Sequence, residues 1–166
     1  MSRRLTFFAT CAPGLERLLH DEVRALGFGK IERQVGGVRF TGVRQAMWTA
    51  NLWLRTAVRV LWRLSQFEAL DGDALYREVQ EIDWSRFVLP EGRLVVDAQS
   101  NQSELSHTQF VAQRVKDAIV DQIRDRHGVR PDVDRDDPDL RIHVHLYRDR
   151  ATLSVDTSGA SLHKRG

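Results

Sequence analysis

The residues best suited to chemistry gather between positions 101 and 116. Asn101, Gln102 and Ser103 stand in a polar stretch. His107, Thr108, Gln109, Gln113 and Lys116 follow at the start of an amphipathic run. Gln109, Gln113 and Lys116 share one helical face by their i, i+4, i+7 spacing. Such an end suits phosphate, because free N–H groups and the helix dipole both favour anions there. Arg148 and Arg150 in a hairpin turn, and His163, Lys164 and Arg165 in the tail, add cations. These thirteen residues are the candidate RNA contacts. The plainer reading is a capped helix with a solvated basic surface. Neither a zinc finger nor an RRM signature is present, so contact is expected through shape and backbone.

Catalysis finds less support. No G-x-G-x-x-G, P-loop or G-x-S-x-G motif occurs. Cys11 and His20 could form a nucleophile and base, but they straddle a strand-to-helix turn, and a buried structural cysteine is the simpler reading. His143 and His145, two apart in a strand, point to one face, yet no third ligand sits at a zinc-like spacing. The aspartates at 132, 134, 136, 137 and 139 lack the glycine and distal glutamate of a calcium loop. No catalytic residue and no metal site is assigned.

Two sets of elements must hold the candidates. Leu5, Phe7 and Ala9 alternate in a buried strand. Leu15, Leu18, Leu19, Val23 and Leu26 mark one face of a helix that Gly27 stops. Ile31, Arg33 and Val35, then Val38 and Phe40, flank a Gly36-Gly37 hairpin signal. Val43, Ala46, Met47, Ala50 and Leu54 form a second helical stripe, and Val58, Val60, Trp62 and Leu64 one face of a strand. The order is βαββαβ, the ferredoxin-like arrangement. Beyond residue 67, Asp71 or Asp73 caps a helix reaching about Glu81. A strand follows at 94–98, a polar loop at 100–104 and the longest helix at 108–127. A rigid acidic loop at 131–139 precedes a hairpin of strands 141–146 and 152–155. The fold class is α+β: a ferredoxin-like part over 1–66, an α/β part over 67–158, and a tail at 159–166.

The bulk numbers narrow the setting. The 166 residues carry 25 Lys+Arg and 23 Asp+Glu, a formal charge of +2, with 42% hydrophobic side chains. That is the composition of a chain with a proper core. No apolar run of about 18 residues exists, so no membrane span is expected. The short Leu5–Ala9 run is no signal peptide. One cysteine fits a reducing, cytoplasmic location. Residues 1–68 hold 11 basic and 5 acidic side chains, and residues 69–166 hold 14 and 18. The small total therefore conceals +6 and −4.

The second half carries an ordered series of motifs: Val115–Asp121, Arg130–Arg135, Pro138–Ile142, Leu153–Gly159 and Leu162–Gly166. With the opening Phe8–Glu16, this series resembles the N-terminal region of bacterial large-subunit rRNA guanine-N2 methyltransferases of the L, or fused KL, type. The resemblance spans essentially all 166 residues and implies a ferredoxin-like domain followed by a THUMP domain. It implies that the THUMP part grips structured RNA, 23S rRNA in that family, for a Rossmann-like domain that methylates guanine with S-adenosylmethionine. The Gly-rich cofactor loop and the Asn/Asp-Pro-Pro-aromatic motif of that catalytic domain have no counterpart in these 166 residues. The resemblance therefore implies no cofactor in this chain and no methyl transfer by it alone. The loop 101–107 and His163-Lys164-Arg165 match the family's polar loop and basic junction. Asp156, Ser158 and Gly159 match its terminal motif, with either an RNA or a junction role. Ile82-Asp83-Trp84 matches a structural anchor, with Trp84 assigned to packing. Two other readings stay open: a module that docks the catalytic domain with little RNA affinity, and the THUMP part of a tRNA-modifying enzyme.

Overall fold

A computed structural model describes residues 4–158. The chain divides into two compact units. Unit 1 comprises residues to Leu64 together with Val155–Ser158, and unit 2 comprises Ser65–Ser154.

Unit 1 follows the expected order: β1 (Leu5–Thr10), α1 (Glu16–Ala25), β2 (Gly29–Gln34), β3 (Gly37–Gly42), α2 (Ala46–Trp53) and the first part of β4 (Arg59–Glu68). Its strands lie in the order β2-β3-β1-β4, and every described pairing among them is antiparallel. Alternation sends Phe7 and Ala9 of β1, and Val38 and Phe40 of β3, into the core. There Phe40 stacks on Phe7 at 5.5 Å and on Phe28 at 4.7 Å between ring centroids. Leu19 and Val23 of α1 complete it, while Leu15 and Leu18 are 40% and 54% exposed. The expected five-residue face of α1 is therefore narrower. Leu15 precedes the helix, and Leu18 lies about 100° around the axis from Leu19. The hairpin turn also departs from expectation. Val35 is 98% exposed in the turn, and only Gly36, with φ +83°, takes the left-handed conformation. Gly37 is glycine for another reason: a Cβ there would sit 2.1 Å from the Ala9 carbonyl oxygen.

Unit 2 contains α3 (Gly72–Val79), a 3-10 turn (Trp84–Arg86), β5 (Arg93–Asn101), α4 (Thr108–His127), β6 (Asp132–Val133), β7 (Leu140–Tyr147) and β8 (Arg150–Asp156, leaving the unit after Ser154). The strand order is β8-β7-β5-β6, with β5 parallel to both β6 and β7. Asp71 caps α3 by accepting the Ala74 N–H at 2.8 Å. Gly128, at φ +77°, ends α4. Two boundaries differ from the sequence reading. Strand β5 runs on through Ser100 and Asn101 because both pair with β7, at Leu146 and Tyr147. The acidic stretch holds the short strand β6, in register with Arg93 and Leu94.

The core of unit 2 contains a polar pin. Gln122 is 6% exposed. Its Oε1 accepts the Trp84 N–H at 2.9 Å, and its Nε2 donates to the carbonyls of Gln80 and Ile82 at 3.0 and 2.7 Å. Trp84 is fully buried, and its indole N–H donates to the Val79 carbonyl at 2.8 Å. Its role is packing, and the 3-10 turn is the anchor that the Ile82-Asp83-Trp84 motif implied.

Candidate nucleic-acid interface

The predicted contacts among the described residues fall into two clusters in unit 2. The first is a groove of about 660 Å³. One wall is α4, which presents Gln109, Gln113 and Lys116, with His107 at its start. The rest of the lining comes from Val95 and Val96 of β5, Val133 of β6, and Arg135 just beyond. The i, i+4, i+7 spacing thus puts three polar groups along one wall. The first turn of α4 has no acidic side chain and no side-chain cap from His107, and Thr108 at its start is exposed. An anionic backbone with polar edges matches this lining.

Lys116 leans toward Asp117 at 2.5 Å. Arg135 belongs to the Arg130–Arg135 motif but is not among the candidate contacts, because it stands among five aspartates. In the fold three of those aspartates, Asp134, Asp137 and Asp139, are engaged by Arg93. Asp134 accepts the N–H groups of Asp136 and Asp137 and pairs with Arg93 at 3.2 Å. These backbone bonds, more than the Arg93 charge, hold its carboxyl below the usual range. Asp139 accepts the Arg93 N–H at 2.9 Å. A lone arginine in an acidic loop was the available signal, but the parallel β5–β6 pairing is what brings it into the same groove lining as Lys116.

The second cluster joins the end of β5 to the β7–β8 turn. Arg148 and Asp149 form a two-residue turn with φ +49° and +65°, the mirror-image geometry that suits strand twist. The Arg148 N–H donates to the Asn101 carbonyl at 3.3 Å, and its Nε donates to Gln102 Oε1 at 3.4 Å. The Ser103 hydroxyl accepts the Asp149 N–H at 2.9 Å, and Asp149 Oδ1 accepts the Glu104 N–H at 2.8 Å. Ser103 is therefore engaged inside the loop. Asn101, Gln102, Arg148 and Arg150 remain at the surface, with the Arg148 guanidinium 5.2 Å from the Tyr147 ring centre. His163, Lys164 and Arg165 lie outside the described residues.

The other candidates resolve simply. The Cys11 thiol is buried, and burial, then the Glu16 charge, push its pKa up, the reverse of an activated nucleophile. His143 and His145 share a face with Asp97 and Gln99 through the β5–β7 register. No group of three metal-binding side chains occurs among the described residues. Asp156 is 3% exposed. Burial raises its pKa, but the Ser158 N–H and hydroxyl and the Arg59 guanidinium outweigh it, and the net shift is downward. Thr157 beside it donates its hydroxyl to the Val60 carbonyl and accepts from Asn51, both at 2.7 Å. The Asp156-Thr157-Ser158 motif is a latch inside unit 1.

Comparison with known proteins matches residues 6–61 to the RlmL ferredoxin-like domain and residues 70–156 to the THUMP domain. The chain belongs to the THUMP family. Its THUMP domain thus holds both clusters, and a ferredoxin-like domain precedes it. The whole chain is 44% identical to the Ribosomal RNA large subunit methyltransferase K/L of Syntrophotalea carbinolica, of which it covers 23%. It matches a Listeria monocytogenes structure described as a predicted N6-adenine-specific DNA methylase, at TM-score 0.81 and 30% identity. That match covers 99% of this chain and 43% of the other. A 4-thiouridine synthetase, solved in an RNA complex with bound ATP, shares the fold alone, at TM-score 0.57 and 12% identity, over 92% of this chain and 41% of that one. The chain therefore spans under half the length of each. No helix among the described residues is long and apolar enough to cross a membrane.

Proposed function

We propose that this chain is the RNA-reading module of a cytoplasmic, S-adenosylmethionine-dependent large-subunit rRNA guanine-N2 methyltransferase. In this reading it grips structured 23S rRNA and positions it for a catalytic domain. The observation that carries it is the groove of the THUMP domain, where four sequence-predicted contacts meet Arg135. The whole-length likeness to a K/L methyltransferase supports the choice of rRNA. Within the groove, Lys116 and Arg135 hold phosphate as point charge and fork respectively. Gln109 and Gln113 offer amide edges to sugar and base. The cations of the Arg148 turn extend the track.

The test is titration of a labelled large-subunit rRNA hairpin against the 166-residue chain across a salt series. Binding should weaken steeply with salt, with a slope set by the phosphates neutralised. Absence of binding at low salt would remove the reading.

A further inference from the structure

The ferredoxin-like unit carries a polar sheet face that the groove reading leaves unused. Its helices supply the residues that pack with Phe7, Ala9, Val38 and Phe40 on one side. Alternation therefore places Thr6, Phe8 and Thr10 of β1 on the other side. The register sets Phe8 between Arg39 of β3 and Leu61 of β4, with Arg63 across from Thr6. Phe8 is half-buried in the middle of the sheet. Gly37 makes room for its ring, since a Cβ there would lie 2.8 Å from Phe8 Cζ. The Arg63 guanidinium sits 4.7 Å from the ring centre. Ring and guanidinium form the composite surface on which unpaired bases stack.

The charge on this face is unbalanced. Arg59 is taken by Asp156. Arg39 and Arg63 share one carboxylate, Glu32, which is paired to Arg39 and feels Arg63 at longer range. Burial, then the neighbouring Arg39 cation, weaken the hold of Arg63 on its proton. Two close guanidiniums against one carboxylate favour a further anion.

We propose that this sheet face is a second RNA contact, taking an unpaired stretch with a base on Phe8 and a phosphate between Arg39 and Arg63. It rests on the RNA reading above but uses a separate surface, in unit 1 rather than unit 2. A paired helix would present only its rim to so flat a platform, so the ligand class is single-stranded RNA.

The experiment measures fluorescence anisotropy of the full chain with an unstructured oligoribonucleotide of about ten nucleotides, inside the usual site-size range. Phe8→Leu should lower affinity about tenfold with its salt slope unchanged, and Phe8→Trp should keep near-parental affinity, because the loss is one of stacking. Arg39→Gln and Arg63→Gln should each lower affinity about three- to tenfold and reduce the salt slope by about one. Circular dichroism of each variant checks the fold, and the tryptophan variant guards against a mere packing defect. If the parent binds but all three sheet losses leave affinity intact while Lys116→Gln weakens it, the sheet contact is wrong and the groove stands. If the parent binds the rRNA hairpin but not this oligoribonucleotide, the sheet contact falls alone; if it binds neither, both readings fall.

Discussion

The helices of the two units bury different groups. Helices α1 and α2 of unit 1 bury only apolar side chains, over a stack of three phenylalanine rings. Helix α4 of unit 2 buries Gln122 among its valines and isoleucines. An apolar core tolerates exchange of like volumes, whereas a polar pin admits one arrangement, because each group it leaves behind is unsatisfied. The most direct way to break this contrast is Gln122→Leu. It strands one N–H and two carbonyls, at about 1–3 kcal/mol each before relaxation. Urea unfolding should show a loss of about 3–5 kcal/mol. Met47→Leu, at a fully buried site in α2, should cost less than about 1.5 kcal/mol. Equal losses would erase the distinction.

The same contrast explains what the sequence revealed. Unit 1 was legible because alternation and helical period report burial directly: Phe7, Ala9, Val38 and Phe40 are all inside. What escaped there was local. Leu18 fits the helical period and is still exposed, and Glu16 serves the N–H groups of Gly14 and Gly36 across a turn. In unit 2, the wall of the groove on α4 could be read from spacing, but the rest of its lining could not. Arg135 reaches it only through a two-residue parallel strand, too short to carry a pattern. Gln122 was hidden for a similar reason, since a glutamine on a helix reads as surface until its partners at residues 80–84 fold against it.

The next effect in size tests the latch of unit 1 against the pin of unit 2. Asp156→Asn keeps the shape but removes the charge that Arg59 and Ser158 serve. The expected cost is about 2 kcal/mol, typical of hydrogen bonds to a charged group. The pH dependence has a definite sign. The folded-state pKa of Asp156 is lowered, so its stabilisation is present above the unfolded value of about 3.9. It is lost as pH falls through the folded value. Thermal melts of parent and variant should therefore converge in acid and diverge toward neutrality. A constant gap would mean that the charge is not the stabilising feature. The pin has no ionisable group, so the Gln122→Leu deficit should not follow this profile.

Smaller still are the groove's single charges. Lys116→Gln and Arg135→Gln should each weaken rRNA hairpin binding about three- to tenfold and lower the salt slope by about one, the signature of a phosphate contact. Neither should change the unfolding free energy from urea titration by more than about 0.5 kcal/mol, as neither side chain is fully buried. If Arg135→Gln shifts stability and leaves the slope alone, the groove has only one cationic wall.

The smallest effect compares two hairpin turns. The turn in unit 1 puts Gly36 at φ +83°, and that in unit 2 puts Arg148 at φ +49° and Asp149 at φ +65°. Glycine adopts this conformation at no steric cost, whereas another residue gives up about 1–2 kcal/mol. Asp149 recovers part of that by binding the Glu104 N–H. Among the described residues, the Arg148 side chain makes a long contact to Gln102 and sits over Tyr147. An arginine held in a strained turn is the pattern of a side chain kept for its contacts. Arg148→Gly should therefore raise the melting temperature slightly, a net gain of about 0.5 kcal/mol once the extra freedom of the unfolded glycine is subtracted. The same change should weaken rRNA hairpin binding about threefold through the lost cation. Gly36→Ala should do the opposite in unit 1, costing about 1 kcal/mol without touching RNA affinity. A gain in stability with no loss of binding would leave the Arg148 strain without a purpose and remove the turn from the RNA track.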